Sequence, residues 1–326
     1  MSNDYYNNLL VIDGDFLAFL AASTVVERFI EVKDNVSLTS TKYKNITEFK
    51  KHCSTNSFDV SDYTIEDGQK LDDSYLQKAK YIISGKVNKF KKATGCTNVL
   101  IVMGGPTNFR NDIPLFTKYK ERSASFRPVC LKEIRDLLET MYNTEYSDNC
   151  EADDLISTYQ YLGHKTGNKI VVVTEDKDAK QTPGLLYNPR SELLIDCAGF
   201  GKLDLTQKNN STYKLNGYGR LWLYYQVCCG DPVDTYQPFQ KGSTITDYKF
   251  YHMFKDLNND KVCWEKIASL YKSAYSHVQE WTSWDGKVVK GTWIDILQMY
   301  VDIAHMRRWK DDRLLVKDIL DKYGIS

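Results

Sequence analysis

The chain has 326 residues, 42% of them hydrophobic, enough to bury a sizeable core as one large domain or two smaller ones. Lysine plus arginine and aspartate plus glutamate balance at 43 each, so net charge selects no class of partner, and no apolar run reaches the ~18 residues of a membrane helix. The opening "MSNDYYNNLLVID" lacks the basic-then-apolar layout of a signal peptide, and the cysteines form no Cys-x-x-Cys pair and have no histidines nearby at zinc-ligand spacing. A cytoplasmic protein is expected, with reduced, mostly buried thiols, no structural zinc and no membrane.

Residues 8–12, "NLLVI", form an apolar run ending at "DGD", the pattern of a buried strand that carries acids into a loop, and "FLAFLAAS" then suits a helix. Residues 34–70 are polar and read as a surface excursion with one hairpin. Tyr75, Ala79, Ile82, Ile83, Val87 and Phe90 recur at helical spacing until Gly95. A second strand, "NVLIVM" from 98, ends at Gly104 and Gly105; a helix follows around "VCLKEIRDLLETMY", then "EADDLISTYQYLG" as a helix stopping at Gly163. A third strand, "KIVVVT" at 169, runs into "EDKD", and from about 215 the pattern is helical. The chain is therefore expected to be α/β, with a mainly parallel central sheet, crossover helices and a helical carboxyl-terminal lobe. The expected domains are 1–200 and 201–326.

In a parallel sheet the strands' carboxyl ends share one edge, where ligands bind, so Asp13, the "EADD" group, Asp176 and Asp178 are expected to converge. Acids in a first helical turn also complement the helix dipole, which alone would explain "EADD". A larger cluster needs cations, because like charges a few ångströms apart raise one another's pKa. Mg²⁺ prefers oxygen ligands, and a pair of ions about 4 Å apart can clamp both oxygens of a phosphodiester during in-line attack. Between Gly85 and Arg127, nine basic residues face two acids, +7 over 43 residues. That stretch reads either as solvated helix faces or as a phosphate-binding surface.

Taken together, "VIDGD", "NFRNDIPLFTKYKER", "EADDLI", "VVVTEDKDAKQTPG" and "GDPVD", in that order, resemble the 5′-nuclease superfamily of flap endonucleases and bacteriophage 5′-3′ exonucleases. The resemblance covers roughly residues 9–240 and is closest to the exonucleases of T-odd phages; the terminal "ILQMYVDIAHMRRW" looks like their final helix. It implies a PIN-like core whose basic arch spans about 85–127, with two Mg²⁺ ions for which Mn²⁺ can substitute. Asp13, Glu151 and Asp153, with Asp154 alongside, would hold the first ion, and Asp176, Asp178, Asp231 and Asp234 the second. Lys120 and Arg122 would act on the reacting phosphate. Tyr119, Arg110, Lys118, Lys241 and Ser243 would bind nucleic acid; Tyr119 offers a face for an unpaired base, with a core position as the alternative.

The implied activity is 5′-3′ hydrolysis at the 5′ end of duplex DNA, at a nick or a flap, extending to RNA primers in RNA–DNA hybrids. The implied setting is a monomer serving phage replication or recombination in the host cytoplasm. A PIN-like ribonuclease and a nucleic-acid-binding relative with reduced catalysis are the alternatives. Two departures stand out. The family places another metal-binding Asp after the second strand, where this chain has Gly104 and Gly105, with Asp15 as a candidate substitute. After Asp234 the family's glycine-rich hairpin is replaced by "TYQPFQKGSTITDYKF", leaving Gly242, flanked by Lys241 and Ser243.

Overall fold

The computed structural model describes residues 6–121, 126–210, 212–239 and 243–325. By its internal contacts the chain divides into two compact units, one of Met1–Asp13, Phe90–Ser125 and Asn143–Ser326, the other of Gly14–Lys89 and Phe126–Tyr142.

The first unit is built on a six-stranded sheet in the order Asn143–Tyr146, Asn98–Met103, Leu9–Asp13, Ile170–Val173, Leu185–Asn188, Leu193–Asp196. The three strands read from the sequence are its centre: Leu9–Asp13 pairs in parallel with Asn98–Met103 on one side and Ile170–Val173 on the other. Only the last strand runs antiparallel to its neighbour. The flanking strands have four residues each, too short for an apolar run to announce them.

Leu9, Val11, Val102, Ile170 and Val172 project from one face onto Ala152 and Ile156 of the helix Ala152–Thr166. Fully burying each such side chain is worth ~1.5–3 kcal/mol, which fixes where the helix starts relative to the sheet edge. That helix does not stop at Gly163. It runs to Thr166 and is capped by Gly167 in the left-handed region (φ 75°), while a side chain on Gly163 would meet the Ile170 Cβ at 2.9 Å.

Beyond residue 200 the first unit holds the helices Arg220–Cys229, Asp247–Phe254, Asp260–Ala274, Trp293–Ala304 and Val316–Tyr323 around a large aromatic core. The expected helical lobe also contains two β-hairpins, Lys202–Gln207 with Tyr213–Tyr218 and Gln279–Thr282 with Val288–Gly291. No helix among the described residues is long and apolar enough to cross a membrane.

In the second unit the polar excursion is more ordered than its composition suggested. Val26–Asp34 is the central strand of an antiparallel sheet between Ser40–Tyr43 and Tyr63–Leu71, and the helix Ile46–Asn56 buries Phe49 and Cys53 against Ile30 and Val32. The expected hairpin missed the first of these strands, which charged residues interrupt at alternate positions, as befits a half-exposed sheet. Asp15, the candidate substitute ligand, is ion-paired with Arg135 of the same unit at 2.8 Å.

Candidate metal centre

The parallel strands bring their carboxyl ends to one edge, as their order requires. Asp13 closes the first strand, and its Oδ2 accepts a 3.1 Å hydrogen bond from the Thr174 hydroxyl, just past the strand Ile170–Val173. The chain then turns through Asp176, whose Oδ1 accepts from the Asp178 backbone N–H at 2.8 Å, into the short helix Asp178–Gln181. A tight loop brings in the last acids: Asp231 and Tyr236 exchange backbone hydrogen bonds of 3.0 and 3.2 Å, closing a turn that contains Asp234. Gly230 before it has a positive φ of 73°, and a Cβ there would also sit 2.5 Å from the Tyr236 carbonyl oxygen.

Asp178, Asp231 and Asp234 are all buried, and each offers a carboxylate oxygen within 4.8 Å of the others. Asp178 and Asp231 are held from behind. Gln226 Nε2 donates to Asp178 Oδ1 at 2.5 Å, and Gln226 Oε1 accepts from Gln181 at 2.9 Å. Lys177 Nζ lies 2.6 Å from Asp231 Oδ2, while Asp231 Oδ1 accepts from Val233 N–H at 2.9 Å. Burial, and then the charges of Asp176, Asp234 and Asp231, push the Asp178 carboxyl well above the usual carboxylate range. Asp234 is also pushed up, chiefly by burial, with Lys120 opposing.

Asp153 forms a second focus beside Asp13, Glu151 and Asp176; burial first, then Asp176 and Asp13, drive its pKa well upward. Three buried carboxylates whose oxygens lie within 4.8 Å of one another fit a hard divalent cation of the Mg²⁺ or Mn²⁺ type and offer no soft ligand for other metals. Asp176 is exposed and lies outside that group of three, although its charge is felt by both Asp153 and Asp178.

Several expected roles change on the structure. Asp154 is not available as a ligand. Its carboxylate takes Arg110 Nη1 at 2.5 Å and Nη2 at 2.9 Å, together with the Arg307 backbone N–H at 2.9 Å and that of Glu151 at 3.0 Å. Burial works against the charged carboxyl, but Arg110 outweighs it and holds the Asp154 pKa below normal. Arg110 accordingly binds no nucleic acid. It is fully buried, and beyond Asp154 it donates to the carbonyls of Ile303 and His305 at 3.0 and 2.9 Å.

Tyr119 is 4% exposed, so its ring cannot receive a base; its hydroxyl instead lies 3.0 Å from Glu151 Oε2 and 3.4 Å from Asp234 Oδ2. Lys120 does reach the acids, 2.6 Å from Glu151 Oε1 and 3.8 Å from Asp234 Oδ1, and its backbone sits in the left-handed region at φ 52°. A non-glycine residue in that region costs of order 1 kcal/mol, offset here by its N–H donating to the Asp234 carbonyl at 3.0 Å.

Gly105 is required by packing: a Cβ would stand 2.0 Å from the Ser147 carbonyl oxygen, while its N–H donates to the Ser147 hydroxyl at 2.9 Å. No acid can occupy that position without displacing the neighbouring strand's exit. Lys118 and Ser243 are exposed, and Lys118 lies 5.3 Å from the ring of Trp284, a partly exposed aromatic that the sequence reading passed over. Arg122 and Lys241 lie outside the described residues, as does Gly242. The basic stretch is not one arch: its first part lies in the helix Tyr75–Thr94, its middle in a core strand, and the loop from Gly104 to Glu121 supplies Arg110, Tyr119 and Lys120. Also unread were Lys177, visible between two aspartates, and Gln226, a lone amide in the apolar "LWLYYQVCC".

Comparison with known proteins gives the following. No protein-family model matches the sequence. A 5′-3′ exonuclease of Buchnera aphidicola is 31% identical over 99 residues, 29% of this chain and 34% of that protein, so the match spans about a third of the relative's length. Among solved structures, bacteriophage T5 5′-exonuclease with bound zinc is similar at 12% identity and TM-score 0.48, over 97% of this chain and 96% of that one. A T5 flap endonuclease complex with DNA and metal ions gives 12% and 0.48, over 97% and 99%. Over those 99 residues the curated match agrees with the resemblance to 5′-nucleases that the motifs suggested.

Proposed function

We propose that the chain is a divalent-metal-dependent 5′-nuclease that hydrolyses phosphodiester bonds at the 5′ end of duplex DNA, at nicks or flaps. The observation that carries this reading is the buried group Asp178, Asp231 and Asp234 on the same sheet edge as Asp13, Glu151 and Asp153. The exonuclease named among the relatives supports it. Asp178, Asp231 and Asp234 would hold one Mg²⁺ and Asp13, Glu151 and Asp153 another, with Asp176 between them. When bound, the ions supply an acidified water and neutralise charge on the attacked phosphate.

The chain's own groups do the rest. Lys120 places a positive charge beside Glu151 and Asp234, where negative charge develops in the transition state. The Tyr119 hydroxyl orients Glu151, Gln226 orients Asp178, and Lys177 offsets the charge of Asp231. Arg110 removes Asp154 from the metal-binding set and uses it to anchor the turn that presents Glu151 and Asp153. Lys118 with Trp284 provides a cation and an aromatic face for a displaced strand, and Lys241 and Ser243 would contact duplex phosphates. Replication or recombination of phage DNA, with removal of RNA primers, is the corresponding setting.

Digestion of a 5′-labelled nicked duplex with Mg²⁺, and again with a chelator, tests the reading. Release of short 5′ products only with metal is expected. Cleavage of RNA alone would replace it with the ribonuclease, and binding without cleavage under any divalent metal would leave only a binding protein.

A further inference from the structure

The helix Trp293–Ala304 ends at His305, which takes extended backbone (φ −73°, ψ 122°). The last carbonyls of a helix have no partner within it, and here side chains from the acid-bearing edge take them. The carbonyls of Ile303 and His305 accept from Arg110, and the Arg307 N–H donates to Asp154 Oδ1. Between them, the Ala304 carbonyl accepts from Gln181 Nε2 at 2.7 Å, and the Met306 N–H donates to Gln181 Oε1 at 3.1 Å. Odd-numbered positions of this stretch thus meet Arg110 and Asp154, and even-numbered ones meet Gln181.

Gln181 has no freedom in this arrangement. A carbonyl can only accept and an N–H can only donate, so Ala304 and Met306 dictate which end of the Gln181 amide is nitrogen and which is oxygen. Its second amide hydrogen goes to Gln226 Oε1 at 2.9 Å. With that oxygen turned to Gln181, Gln226 can present only its nitrogen to Asp178 Oδ1. Reversing Gln226 would set donor against donor at Gln181 and oxygen against carboxylate at Asp178. Gln181 and Gln226 are 7% and 1% exposed, so bulk water is not at hand to repair such a mismatch. A tie between the short helix Asp178–Gln181 and residues 304–306 would account for the bonds that Gln181 makes to the main chain. It does not account for a chain of amides that ends on a carboxylate of the metal-fitting group.

We propose that Gln181 is a positioning residue for the metal centre, carrying the polarity of the main chain at Ala304 and Met306 through Gln226 to Asp178. Holding Oδ1 fixes the rotation of that carboxylate, and so the direction of its other oxygen. The stretch Ile303–Arg307 thereby sets both groups of acids, the turn at Asp154 through Arg110 and Asp178 through the two glutamines. That Asp178 holds a metal ion rests on the function proposed above.

The test reads metal rather than cleavage. The full chain is titrated with Mn²⁺ by calorimetry, and the binding step lost in Asp234→Asn marks the Asp178 group. Gln226→Met and Gln181→Met should each weaken that step by about tenfold or more, the usual effect of removing a group behind a metal ligand. In the double variant the Gln181 change should add no more than about twofold, since it acts only through Gln226. A purely structural amide gives a different result, a lower denaturant midpoint with unchanged Mn²⁺ affinity in Gln181→Met. That result would overturn the proposal, as would losses that multiply in the double variant. Should Gln181→Met not fold, Gln181→Glu takes its place: ionised, it keeps an acceptor for the Met306 N–H but cannot donate to Gln226, and the same weakening is expected. Absence of any Mn²⁺ step sensitive to Asp234→Asn would overturn the relay together with the metal on which the nuclease reading depends. A chain that binds Mn²⁺ in this relay-dependent way yet cleaves no nucleic acid would sink the nuclease reading and leave the relay standing.

Discussion

Along the helix Ala152–Thr166 the amino end carries Glu151, Asp153 and Asp154, and the last turn carries His164 and Lys165. Both ends thus complement the helix dipole, and a sequence reading could treat them alike. They differ in what surrounds them. At the first end Asp154 is 1% exposed and locked to a buried arginine, and Asp153 is pressed between other carboxylates. At the second end His164 and Lys165 stand exposed. A dipole effect is worth ~0.3–1 kcal/mol, and crowding buried carboxylates costs several times that, so only the first end requires a further cause.

The contrast can be broken most sharply at the acids. Asp176→Asn with Asp178→Asn should reduce cleavage to background, a loss of about a thousandfold or more, while DNA binding in a gel-shift assay holds or strengthens because negative charge has been removed. Residual cleavage well above background would refute the assignment of these residues. Arg110→Met comes next. It leaves Asp154 buried and unpaired, at a cost of about 3–5 kcal/mol, measured as a lower denaturant midpoint; pairing it with Asp154→Leu should recover part of that loss. If the double variant were no more stable than the single, Asp154 would not be the group that Arg110 serves.

Lys120→Ala should slow single-turnover cleavage by about a hundredfold and weaken duplex binding at fixed salt far less, as expected for a group acting on developing charge. Equal losses in the two assays would make Lys120 one phosphate contact among several. The smallest effect belongs to the opposite end of the helix. Lys165→Glu should shift the melting temperature by no more than about 2 °C and leave cleavage unchanged. A large loss of stability there would mean that the two ends are more alike than their burial indicates.

The sheet's three central strands and the acids at their ends were legible because buried parallel strands write themselves as unbroken apolar runs, and an acid directly after such a run has one edge to go to. Burial was not legible. Arg110, Tyr119 and Asp154 look in the sequence like surface charge, a stacking aromatic and a metal ligand, and only the partners they meet across the fold turn them inward. Gly105 illustrates the same limit from the other side. What stands there in the sequence as a missing acid is a contact with Ser147, a residue 42 positions away. In the second unit the strand Val26–Asp34 escaped notice, where only a hairpin was expected, because charged side chains on its open face broke the apolar pattern.

The guanidinium of Arg110 ties residues about two hundred positions apart, since the carbonyls it holds belong to Ile303 and His305. A nascent chain emerges in order from its amino end, so Asp154 waits with a half-satisfied arginine until most of the protein has been made. The acid-bearing turn is therefore expected to set late in synthesis, and chains stalled on the ribosome before Ile303 should be more readily cut by protease near residue 151 than chains released at full length. Equal protection in both would show that the turn is ordered without its distant anchor. Under the function proposed above, a site that attacks nucleic acid would thereby be assembled close to RNA while still incomplete.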